Sequence, residues 1–153
     1  MDKIFTKNIE HESAIKHVTG NAIYTDDIAE PRNLLHAVIG YSNCSKGVIK
    51  NINYDEVYKS KGVIDIITEK DIEGINDVGA IFKGDKIFTS KNIDYFGQPI
   101  FAVIATSNIL AKKAALKVKI KIKESKPILT IKEALRKKSY VLEPRQISRG
   151  DVN

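Results

Sequence analysis

Between Tyr95 and Glu124 the spacing of apolar residues changes period twice, and the rest of the chain is arranged around that stretch. A turn at Gly97, Gln98 and Pro99 leads into an unbroken apolar run from Ile100 to Ala105. The run is long enough for a buried strand and too short to span a bilayer. Ser107 stands where an N-cap belongs, ahead of residues 108–116, in which Leu110, Ala111, Ala114 and Ala115 fall at helical spacing. Beyond the helix, Val118, Ile120 and Ile122 alternate with Lys119, Lys121 and Lys123. That is the period-2 signature of a strand with one face buried and one wet. Strand, helix and strand in succession predict a βαβ unit, with neighbouring parallel strands and a right-handed crossover.

Shorter elements flank this unit. Residues 34–41 read as a buried strand in which His36 is a hydrogen-bonded core histidine, and Val48 to Asn53 as a second strand. Asn53, with Glu56 three residues later, forms the pattern of a capping box for a short helix that ends at Gly62. Val63 to Ile67 make a strand and 68–72 a single helical turn. From Gly74 to Asn92 the apolar residues Ile75, Val78, Ile81 and Phe82 follow neither period, and Gly74, Gly79 and Gly84 interrupt them. This predicts a long surface loop with an apolar tip, and such loops often carry function. Thr130 and Glu133 open a last helix through Arg136, and residues 139–153 lose periodicity. Residues 1–20 show no period and read as an extended polar arm. The fold class is α/β (α+β), a mixed sheet with a βαβ unit and short helices.

Composition adds limits. At 153 residues, with 42% apolar and 29% charged residues, the chain is one soluble globular domain able to bury a core. The net charge of +6 arises from 25 Lys and Arg against 19 Asp and Glu, spread along the chain. A solvated lysine-rich surface explains it better than a nucleic-acid site, because no aromatic residues interleave Lys119, Lys121 and Lys123. Cys44 is the single cysteine, which excludes an internal disulfide and suits a reducing compartment. His11 and His17 lack a recognised metal spacing. Adjacent Asp26 and Asp27 point to opposite faces of an extended backbone and fit a turn before Pro31 better than a cation site. No phosphate loop, dinucleotide fingerprint or nucleophile elbow occurs. The final Arg149-Gly150-Asp151-Val152-Asn153 closes no core element, and a cut within a longer polypeptide is the expectation.

A family resemblance rests on motifs that follow one another along nearly the whole chain. They begin with His11-Glu12-Ser13-Ala14, His17-Val18-Thr19-Gly20 and Tyr24-Thr25-Asp26-Asp27. Lys61-Gly62-Val63, Thr68-Glu69-Lys70-Asp71-Ile72, Asn76-Asp77 and Phe96-Gly97-Gln98-Pro99-Ile100 come next. Pro127-Ile128-Leu129-Thr130 and Arg149-Gly150-Asp151-Val152 complete the series. In that order they resemble the start of the molybdenum-binding subunit in the xanthine dehydrogenase/aldehyde oxidase family. The resemblance implies an a/b hammerhead domain over 21–138, preceded by the arm at 1–20. Residues 139–153 would begin the connection to downstream molybdopterin-binding domains.

What the family does is hydroxylation at a molybdenum centre. The resemblance implies an enzyme of purine catabolism that oxidises xanthine or hypoxanthine; the alternative is an aldehyde or another N-heterocycle. Its cofactors would be molybdopterin-bound molybdenum, [2Fe–2S] clusters and FAD, all held elsewhere in the complex. Molybdopterin contacts and the catalytic base lie beyond Asn153 in the family, so no catalytic, cofactor-binding or metal residue is carried over, and this piece alone is expected to be inactive. Ile81 and Phe82 are the expected wall of the substrate channel; the simpler account makes them packing residues of the loop. Implied partners are the remaining domains of the subunit, the FAD and iron–sulfur subunits or domains, and a purine, with no nucleic acid and no membrane, in the cytoplasm. A basic nucleic-acid module or a free-standing protein-interaction domain is the contrasting class.

Overall fold

In the computed structural model, which describes residues 11–142 and 145–151, the chain forms six strands and four α-helices. They are α1 (Ala14–Val18), β1 (His36–Tyr41), β2 (Gly47–Asn53), α2 (Asp55–Tyr58), β3 (Val63–Ile67) and β4 (Asn92–Ile93). Then come β5 (Pro99–Ala105), α3 (Asn108–Ala115), β6 (Lys119–Glu124) and α4 (Ile131–Lys137). The chain divides into two compact units, Met1–Leu34 and Leu35–Asn153.

Within the first unit, the stretch expected to be extended holds a helix, α1, and residues 1–10 of the expected arm lie outside the described residues. Local hydrogen bonds drive the helix: Thr19 Oγ1 donates to the Ile15 carbonyl at 2.6 Å, which closes its last turn. The Asp pair behaves as the turn reading predicts. Asp27 accepts from the Tyr24 backbone N–H at 2.9 Å and fixes a 3₁₀ turn over Thr25–Asp27.

The second unit is built on two three-stranded sheets, ordered β1-β5-β3 and β4-β2-β6. All strand pairs among the described residues are antiparallel. The order β5, α3, β6 is as expected, but the parallel pairing is not formed, because β5 and β6 lie in different sheets. The reason is that β5 is already paired on both sides, by β1 and β3, so no edge remains for β6. Instead β6 runs antiparallel to β2, with Ile122 opposite Ile49 and Ile120 opposite Ile52. The two alternating patterns thus match each other, apolar to apolar.

The core lies between the sheets and α3. Val57, Ile93, Ile100 and Val103 are almost wholly buried, and Ala111 and Ala114 are the buried face of α3. Burial contributes about 1.5–3 kcal/mol for each such Val or Ile. Tyr54 meets Phe101 edge-on, with ring centroids 5.5 Å apart. Burial, helped by the nearby Tyr58 and Asp71, pushes the Tyr54 hydroxyl up to about 12. The Phe101 ring lies against Gly40, where a Cβ would overlap it.

Three local expectations change. β1 is not a buried strand: it alternates half-buried and exposed residues, and His36 is half-buried, because β1 is the edge of its sheet. The helix after β2 starts at Asp55 with Tyr54, not Asn53, at its N-cap, and the capping box is not made. Asn53 Oδ1 does accept from the Asp55 N–H at 2.9 Å, but Glu56 turns to Lys59 at 3.3 Å. Ser107, in contrast, caps α3 as expected, accepting from the Leu110 N–H at 3.3 Å.

Candidate functional site

The long loop between the 3₁₀ turn Glu69–Asp71 and β4 has no regular structure, and polar side chains hold it. Asn76 pairs with Phe88 like one residue of a strand ladder. Its Nδ2 donates to the Phe88 carbonyl at 2.7 Å, and its Oδ1 accepts from the Phe88 N–H at 3.0 Å. Asp77 grips the tip: one carboxylate oxygen accepts from the Gly79 N–H at 2.8 Å and the other from the Gly84 N–H at 2.6 Å. These backbone donors, Gly79 first and Gly84 next, hold the Asp77 carboxyl below its ordinary 3.8. Val78 N–H donates to the Asp85 carbonyl at 2.8 Å and closes the base.

This frame presents Ile81 and Phe82, the expected channel residues, side by side at the tip. Ile81 is 86% exposed and Phe82 49% exposed. At Gly79 a Cβ would run into the Phe82 backbone carbonyl, so the tight approach of the two positions depends on glycine. The Arg145 guanidinium sits over the Phe82 ring, 4.8 Å from its centroid, and covers one face. Sequence reading located the apolar tip but not this arginine, which lies 63 positions away in a segment without periodicity.

A second feature was barely legible in the sequence. A groove of about 870 Å³ runs between β1 and β6. Val38, Ile39, Gly40 and Tyr41 form one side, Val118, Lys119 and Ile120 the other, and Phe101, Ala115 and Leu116 lie along it. The only hint in the sequence is Leu116, an apolar residue off the buried face of α3, which stays 86% exposed.

The remaining candidates are engaged in local contacts. Cys44 is buried, with the Ser42 hydroxyl bonded to its backbone carbonyl at 2.6 Å. His17 meets the Tyr24 hydroxyl at 3.0 Å rather than a carboxylate. Among the described residues no three His, Cys, Asp or Glu side chains gather as metal ligands. An iron–sulfur cluster takes several thiolates, and this chain has one cysteine, so its residues do not fit that group. No helix of the described residues is long and apolar enough to cross a membrane.

Two antiparallel sheets braced by short helices carry a loop anchored by Asn76 and Asp77. The family model for the aldehyde oxidase and xanthine dehydrogenase a/b hammerhead domain matches residues 19–126, and the chain belongs to that family. Its relatives include xanthine dehydrogenase of Dictyostelium discoideum, 33% identical over 96% of this chain and 11% of that protein. Aldehyde oxidase 1 of Bos taurus is 35% identical over 95% of this chain and 11% of its own length. Among solved structures, the aldehyde oxidoreductase from Desulfovibrio desulfuricans superposes with a TM-score of 0.75 at 30% identity, covering 83% of this chain and 15% of that one. The chain therefore spans about a tenth of the length of the curated relatives it matches.

Proposed function

We propose that this chain is a non-catalytic structural domain of a molybdenum hydroxylase that oxidises xanthine or hypoxanthine in purine catabolism. The observation that carries the reading is the continuous likeness, across 93–96% of the chain, to xanthine dehydrogenases. Aldehyde oxidases align equally well, so an aldehyde or other heterocycle is the second reading. Molybdopterin would supply the oxidising centre and [2Fe–2S] clusters with FAD the electron path, each held by other domains or subunits. Residues 139–153 would lead toward those domains, and a single buried cysteine suits the cytoplasm.

In that setting Ile81 and Phe82 line the approach to the substrate. Their exposure on a loop fixed by Asp77 supports the role, since a flat heterocycle is guided by rigid apolar walls. The test has two parts. The 153-residue chain, purified alone, should neither oxidise xanthine nor retain molybdenum, and turnover by it would reject the reading. In the enzyme that contains this domain, Phe82→Ala should raise KM for xanthine several-fold while molybdenum content stays constant. An unchanged KM removes Phe82 from the channel; activity on aldehydes but not purines selects the second reading.

A further inference from the structure

The groove between β1 and β6 has the geometry of a place for a missing strand. Successive residues of a strand point to opposite faces. A groove touching Val38, Ile39, Gly40 and Tyr41 in succession therefore reaches the edge of β1. Across the groove stand Val118, just before β6, and Lys119 and Ile120, the first two residues of that strand. Among the described residues both strands are sheet edges, β1 paired with β5 and β6 with β2. Edges of this kind are normally blunted or covered. β6 carries Lys119, Lys121 and Lys123, which discourage pairing with a second copy, whereas no lysine or proline interrupts β1. Ile39, 41% exposed, and Leu116 leave an apolar lining in water beside that open edge.

We propose that the β1 edge of this groove receives an extended, largely apolar segment from the remainder of the same polypeptide. The segment adds to the first sheet by backbone hydrogen bonds, and an acidic side chain on it meets Lys112 or Lys119 at the rim. The proposal rests on the reading that the chain is one domain of a longer enzyme. Two observations support that occupant. About nine-tenths of each curated relative lies outside its match to this chain, which leaves ample polypeptide to supply a strand. A second copy of this chain is a poor partner, since two chains of net charge +6 repel each other.

Hydrogen exchange tests it, on the 153-residue chain and on the full polypeptide encoded by the same reading frame. Outward-facing amides of Val38 to Tyr41 should exchange at least ten-fold more slowly in the full polypeptide. Leu116→Lys should leave the melting temperature of the 153-residue chain unchanged and abolish the protection in the full polypeptide; Ile39→Lys, at a second exposed position, should do the same. Equal exchange in both contexts overturns the proposal, as does protection that both variants retain. Protection that appears in the chain alone as its concentration rises assigns the edge to self-association instead, and protection supplied only by a separate subunit assigns it there; either overturns the occupant named. A reading frame that ends at Asn153 overturns it too. Molybdenum content separates the two levels: a full polypeptide that holds molybdenum yet shows no protection loses this inference and keeps the family function.

Discussion

Asp77 does at one position what a strand partner does elsewhere, because its two carboxylate oxygens replace missing backbone acceptors for Gly79 and Gly84. Its pKa is held below 3.8 in the folded protein, so it favours the folded loop at any pH above the unfolded value. That contribution is lost as pH falls through the folded pKa. Amides of residues 78–85 should therefore exchange faster below about pH 3.8 than other protected amides do, and Asp77→Asn should remove the pH dependence; NMR-detected exchange reads both. Gly40 is the counterpart in the core. A methyl there collides with the Phe101 ring, so Gly40→Ala should destabilise by about 1–3 kcal/mol in urea unfolding, the usual cost of overpacking. A neutral result would mean that the ring moves aside freely, and with it the Tyr54 contact.

Among the helices, α3 packs most extensively on the sheet β1-β5-β3, and its start is set by a single side chain. Ser107 Oγ accepts from the Leu110 N–H, while Ala111 and Ala114 let the helix approach β5 and β1 closely. Ser107→Ala should cost about 1 kcal/mol, with Ser107→Asp close to neutral. Thermal or urea denaturation distinguishes them, and equal losses for both would show that the cap is not the cause. The helix α4 shows the opposite balance. Thr130 caps it, accepting from the Glu133 N–H at 3.2 Å, and Glu133 pairs with Lys137 at 2.8 Å, yet it buries none of its residues. Local chemistry alone defines it, which is why its start was legible in sequence.

At the scale of the whole molecule, the positive charge is distributed rather than focused. Lys119, Lys121 and Lys123 lie on the exposed face of β6, with Ile120 and Ile122 turned inward and no aromatic residue among them. A site contacting six or more phosphates would lose roughly 10³-fold in affinity between low and moderate salt. Titration of the chain with single-stranded RNA and duplex DNA should show only weak binding at 150 mM salt, on the order of 10⁻⁴–10⁻⁶ M, as expected of non-specific contact. A tight, steeply salt-dependent complex would instead make the lysine face a functional site.

The sequence by itself determined the elements whose cause is local. The alternation at Val118, Ile120 and Ile122, the Ser107 cap and the glycine-broken loop at 74–92 each rest on backbone geometry within a few residues. Motif order likewise carried the family, since turns and caps keep their residues wherever the fold recurs. Tertiary structure decided what those elements do together. Periodicity shows that β5 and β6 are strands but not which edges are free, and pairing on both sides of β5 sent β6 to the other sheet. Arg145 reaches Phe82, and Val38 to Tyr41 face Val118 to Ile120, only because distant segments fold back. Contacts between residues far apart in sequence leave no period to read, so the groove and the covered face of Phe82 belong to the folded molecule alone.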